Sequence, residues 1–243
     1  MKTSWQRLVA LACVCACISF RNVQEPIKGD GQIKRTLQKL PEINQLQIDG
    51  EFRIYLQNTQ TNEIQVETDS NLLPFIETKV VGTKLQIHNK DGLVLKPSKK
   101  MGIKIYISAQ QFHQVQCSGQ VILSGNTVIN SNDLQIDLSG DSKAELEVIT
   151  NTLHAVLSGN SELQLMGTST FANYQAADKS KLDAEALHVH DVEVEVKGKA
   201  KVIVHAIEKL TVGVFEQASL EYAGISSVKE KPGGNGRLRR KYE

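Results

Sequence analysis

The residues best able to do chemistry in this sequence fall in a few separate places. Glu193 and Glu195 alternate onto one strand face. Clustered carboxylates of that kind collect Ca²⁺ or, beside a Lys or Arg, support proton abstraction in a polysaccharide lyase. The positions that a repeat would stack beside them, Asn173, Gln175, Thr211 and Gly213, are neutral, so the pair reads as a solvated face. His188 and His190 share a face and could meet a metal with His205, but no acidic or cysteine ligand stands at ligand spacing. Recurring Ser-Gly pairs are neither Gly-x-Ser-x-Gly elbows nor phosphate loops, and no strand-to-helix transition hosts them. Asp141, in its Ser-Gly-Asp turn, is not part of a nine-residue calcium repeat. Cys117 lacks an activating neighbour and reads as a small buried hydrophobe. No cofactor and no metal is implied.

Lys179, Lys181, Lys199 and Lys201 form the one group with a coherent binding use. Two repeats bring them together as a compact basic patch able to receive an anionic glycan or a lipid headgroup. Read without a ligand, the same lysines are a charged edge that discourages sheet-to-sheet association.

Charge and composition narrow the field further. Lys and Arg number 28 against 27 Asp and Glu, so no global field points to nucleic acid. Aromatic residues make up 5% of the chain, and the single Trp is Trp5, which leaves sugar or base stacking poorly supplied. Residues 1–17 read as a signal peptide, with a basic start at Lys2 and Arg7 and an apolar run from Leu8 to Ala16, too short to span a bilayer. Val14-Cys15-Ala16-Cys17 resembles a bacterial lipobox, which makes Cys17 the lipidation candidate and a lipid the membrane anchor. Cleavage after Ala16 without lipid and a retained anchor are the alternatives. Export to the cell envelope follows from any of the three. Residues 18–40 read as a flexible tether and 226–243 as a basic tail or last partial rung.

Between them, residues 41–225 alternate apolar and polar side chains with frequent turn residues, an all-β pattern. Asn71-Leu72-Leu73-Pro74-Phe75-Ile76 allows one short helical turn. A repeat dominates the second half. Turn frames recur at Ser118, Ser139, Ser158, Ala177, Lys197 and Phe215, at intervals of 18 to 21 residues. Aligned on the frame, Cys117, Leu138, Leu157, Ala176, Val196 and Val214 form one inward column. Val121, Ser142, Ser161, Ser180, Ala200 and Ala218 form a small-residue column, and Leu123, Ala144, Leu163, Leu182, Val202 and Leu220 a third. Columns of this kind predict a right-handed parallel β-helix, a solenoid of pectate-lyase-like architecture with rungs of about twenty residues. Leu46 to Leu56 fits the same frame, with wider rungs and a loop near Lys90-Asp91-Gly92 after it. Charge placed at Leu163 should unfold several rungs, whereas Glu162→Lys should be nearly silent.

These features together resemble the auto-transporter adhesin family, the head GIN domain family. The resemblance is carried by Leu46 to Ile54, Asp69-Ser70-Asn71-Leu72-Leu73-Pro74, Ile76 to Val80, Gly82 to Ile87 and the Ser-Gly turns from Ser118 onward, over roughly residues 40–225. It implies an envelope β-helix with an adhesive role and no catalytic residues. The chain departs from the pattern where Ala177-Asp178 and Glu216-Gln217 replace Ser-Gly. A non-catalytic interaction module that meets an unknown protein or an anionic glycan is the leading expectation. The alternatives are a carbohydrate-binding or polysaccharide-processing β-helix protein and a self-associating, homo-oligomeric envelope component, the latter suggested by the outward Ile122, Val156 and Ile203.

Overall fold

The computed structural model describes residues 25–59, 61–100, 102–108, 111–224 and 227–241. Alternation in the sequence becomes alternation in burial: from Lys143 to Leu157 buried and exposed side chains follow one another with a single irregular step. The chain begins with β1 (Ile27–Lys28), β2 (Ile33–Lys39), β3 (Gln45–Gly50), β4 (Phe52–Gln57) and β5 (Glu63–Asp69). A 3-10 turn at Leu73–Phe75 then leads into β6 (Ile76–Val81), β7 (Lys84–Asn89), β8 (Leu95–Lys96) and β9 (Ile103–Ser108). Pro74 sits in the first turn of that short helix, where its missing N–H costs nothing. The second half runs through β10 (Gln114–Gly119), β11 (Ile122–Gly125), β12 (Val128–Leu138), β13 (Lys143–Leu157), β14 (Glu162–Ala176), β15 (Lys181–Val196) and β16 (Lys201–Val214). It ends with β17 (Ser219–Ala223), β18 (Ser227–Glu230) and β19 (Arg237–Arg240).

Stacked parallel strands wind into a β-solenoid of about seven turns. Register pairs join Cys117 to Leu138, Leu138 to Leu157, Leu157 to Ala176, Ala176 to Val196 and Val196 to Val214, the inward column expected from the sequence. The first half starts on the same frame, since Cys117 also pairs with Ile48 and Leu123 with Ile54. Ser142, Ser161 and Ser180 are fully buried beneath the turn, and each hydroxyl donates to a turn carbonyl: Gly119 O, Leu138 O and Ala177 O respectively.

The turns stack so closely that a side chain is excluded at most of them. A Cβ on Gly140 would lie 2.7 Å from Gly119 O, and one on Gly159 would lie 2.9 Å from Gly140 O, both at positive φ. Asp178 and Glu216 keep the same left-handed turn, at φ 61° and 59°. Their carboxylates offset the cost by accepting from the neighbouring turn, Asp178 Oδ2 from Gly159 N at 2.9 Å and Glu216 Oε2 from Gly198 N at 3.0 Å. The two departures from Ser-Gly therefore preserve the turn conformation, the second at Phe215-Glu216 rather than the expected Glu216-Gln217, since Glu216 takes the positive φ of the glycine position.

The first part differs from the expected run of wider parallel rungs. β6 and β7 form an antiparallel hairpin, and β5 lies antiparallel between β2 and β9. The expected tether is corrected as well: within residues 18–40, β1 pairs with β8, and β2 pairs with β5 over seven positions. Six of the seven side chains in β2 are exposed, so backbone hydrogen bonds hold it rather than an apolar face, and its sequence carries no burial pattern to read. A latch fixes the segment before it. Asp69, 1% exposed, accepts from Gly31 N at 2.7 Å, Ser98 N at 3.0 Å and Ser98 Oγ. Burial pushes its carboxyl up, but the Ser98 and Gly31 donors outweigh burial and hold it below the usual carboxylate range. Gly29 allows this approach, since a Cβ there would meet Asp69 Cγ at 2.3 Å. Asn71 adds two bonds, accepting from Asp30 N at 2.9 Å and donating to Lys28 O at 2.8 Å. At the other end β18 pairs with β16 and β19 with β17, an incomplete last rung.

Candidate interaction face

Two columns of outward side chains run along one lateral face, parallel to the solenoid axis. The first holds Lys143, Glu162, Lys181 and Lys201 in successive register pairs. It continues through Ser219 to Arg237, a basic residue of the last rung that the sequence frame did not place there. Glu162 bridges its neighbours, 2.9 Å from Lys143 Nζ and 2.8 Å from Lys181 Nζ, and Lys181 and Lys143 hold its carboxyl below the ordinary range. The structure thus brings the predicted Lys181 and Lys201 side by side. Lys179 and Lys199 stand on the adjoining turn stack, their amides donating to Gly159 O and Asp178 O. Lys179, Lys199 and Lys201 form no ion pair among the described residues. Part of the expected positive charge is therefore spent on Glu162, and Arg237 restores some of it.

The second column, two residues further along each strand, is of opposite character. Glu145, Gln164, Asp183 and Ile203 follow one another in register. Between the columns lies an open groove of about 550 Å³, bounded toward the first half by Ile122 and Ser124. Ser124 pairs in register with Tyr55, which pairs with Tyr106. The two tyrosine rings stack with centroids 5.1 Å apart and 20° between planes. Sequence composition alone pointed away from aromatic stacking; the solenoid concentrates two of the few aromatics on adjacent strands.

The other chemical candidates are dispersed or neutralised. Glu193 and Glu195 do share a face, but Lys231 from the last turn lies 2.9 Å and 3.7 Å from them, and Lys197 lies 2.6 Å from Glu195. Lys231 holds the Glu193 carboxyl down, and Lys197 does the same for Glu195. His188 and His205 meet with ring centroids 4.5 Å apart, whereas His190 turns to Glu208 Oε1 at 3.1 Å. No group of three or more His, Cys, Asp or Glu placed to hold a metal occurs among the described residues. Cys117 is buried, which pushes its thiol up to about 12 and leaves it unreactive. Cys17 lies outside the described residues. Among the described residues no helix is long and apolar enough to cross a membrane.

Comparison with known proteins now bears on this architecture. The family described as "Putative auto-transporter adhesin, head GIN domain" matches residues 42–225. The chain belongs to this family. No curated protein matches it. The head GIN fold seen here is similar to a solved "putative adhesin" from Bacteroides fragilis, at 18% identity and TM-score 0.80, covering 88% of this chain and 99% of that one. It is also similar to a "putative adhesin" from Parabacteroides merdae, at 18% identity and TM-score 0.74, covering 90% and 100%. A "Putative lipid binding protein" from Parabacteroides distasonis shares the architecture at 17% identity and TM-score 0.73, covering 90% and 100%. At these identities the likeness is one of fold.

Proposed function

We propose that the protein is a non-catalytic adhesin of the bacterial cell envelope, exported by its leader, anchored by lipid at Cys17 and binding its partner through the lateral columns of the solenoid. The observation that carries this reading is the ordered lateral face, where Lys181 and Lys201 pair in register beside an open groove and Lys201 forms no ion pair among the described residues. Family membership supports an adhesive role and a surface or envelope location. Lys179, Lys181, Lys199 and Lys201 supply the contact for anionic groups of that partner.

The test is adhesion of beads coated with the protein to whole cells and to arrayed envelope glycans, with and without Ca²⁺. Retention that falls in a Lys179/Lys181/Lys199/Lys201 quadruple-alanine variant supports the reading. Turnover of any arrayed polysaccharide, or retention by neither cells nor glycans, contradicts it.

A further inference from the structure

Resting on that reading, we infer that the groove between the two columns takes an extended acidic polysaccharide, laid along the solenoid axis with one sugar ring against Tyr55. The groove crosses five successive strands, β11 and β13 to β16, a length of roughly 19 Å at the ordinary strand spacing. It is an open trench rather than an enclosed cavity, a shape suited to a linear chain and not to a compact metabolite.

The walls narrow the ligand. Lys143, Lys181 and Lys201 stand on one side, with Glu162 bridging the first two, and Glu145 and Asp183 stand on the other. A ligand charged evenly all round, such as a nucleic acid, would bring phosphates against the acidic wall. A sugar chain with carboxylates or sulfates along one edge satisfies both walls. Its anionic groups meet the lysines, and its hydroxyls donate to Glu145 and Asp183, which can only accept. A peptide strand fits less well, because the parallel ladders under the groove already consume the backbone donors and acceptors that strand addition needs.

The stacked tyrosines supply the remaining element. Tyr106 backs one face of Tyr55 at 5.1 Å. On the other side the register partner is Ser124, too short to cover the ring, and Ser124 itself lines the groove. Tyr55 is thereby held in register with Ser124 on the strand beside the trench, where its ring would meet the C–H face of a pyranose at the end of the chain.

The experiment is calorimetric titration of the full-length protein with hexamers of galacturonic acid, hyaluronate and chondroitin sulfate, alongside the dimers and the methyl-esterified galacturonate hexamer. We expect at least one acidic hexamer to bind, the corresponding dimer to bind markedly less, and esterification to abolish binding to galacturonate if that is the chain recognised. Tyr55→Ala should weaken the hexamer about fivefold to tenfold, and Tyr55→Trp should retain it. A Lys181→Ala/Lys201→Ala variant should lose more than about tenfold and most of the salt dependence. Thermal melts establish that each variant is folded. Acidic-chain binding that ignores Tyr55 and chain length, yet vanishes in the quadruple-alanine variant, overturns the groove but keeps the basic patch. No binding of any acidic chain by the folded protein overturns the inference. Bead adhesion to cells that persists in that case leaves the adhesin reading standing with a different partner, whereas loss of both removes the two together.

Discussion

The regular coil from β12 to β16 and the first part from β1 to β9 solve different problems with the same alternating strands. In the coil each rung is buried by the next, so identical positions stack and Leu163 sits between Ala144 and Leu182. The first part has to stop that stacking. It does so with strands that reverse direction, an edge strand rich in Lys and Arg, and a buried carboxylate that ties the incoming chain down. Repetition makes a core; ending the repetition takes polar bonds and charged edges.

The contrast predicts that damage to the coil is global and damage to the first part local. Leu163→Asp, a charge in a position 2% exposed, should cost on the order of 4 kcal/mol and unfold several rungs, seen as loss of the main thermal transition. If the main transition survives, the inward columns are wrongly placed. Asp69→Asn should cost about 1–3 kcal/mol and speed amide exchange in residues 27–39 while the coil stays protected. Uniform loss of protection would mean the latch and the coil fold as one unit. Gly159→Ala combines positive φ with the 2.9 Å approach to Gly140 O and should cost on the order of 2 kcal/mol by chemical denaturation.

Acid should separate the two regions. Asp69 has its folded pKa lowered, so its stabilisation is present above the ordinary carboxylate value of about 4 and is lost as pH falls through the lower folded value. Exchange protection in residues 27–39 should therefore fall below about pH 4 before that of β13 to β15. The lowered carboxyls of the coil, Glu162, Glu193 and Glu195, are in exposed or half-exposed pairs that contribute little. The smallest effect is Glu162→Lys. Its sequence context made it nearly silent, but it breaks two bridges and sets a third lysine between Lys143 and Lys181. A loss under about 1 kcal/mol, growing at low salt, is the expected melt result.

How legible each region was follows from the same difference. The turn at Ser118, Ser139 and Ser158 could be read because glycine and serine recur there for a backbone reason. A second corner was missed although its signal is comparable: Ser131, Thr150 and Ser169 are buried and donate to the carbonyls of Asp133, Thr152 and Phe171, bending the long strands. These hydroxyls recur every 19 residues, each followed by Asn or Thr, a spacing that an alignment on both corners exposes. The lysine patch was legible because its members lie one repeat apart. Tyr55 beside Tyr106, Lys231 against Glu193, and Arg237 at the end of the lysine column were not, because their partners come from outside the regular frame.

Sequence by itself determined the strand alternation, the inward columns and the turn period, since each depends on which side of a pleat a residue occupies and how soon the frame returns. Tertiary structure decided which charges are paired, how the first rungs reverse, and that two tyrosines stack on neighbouring strands. Those outcomes depend on which strands lie side by side, a long-range choice that local periodicity does not encode.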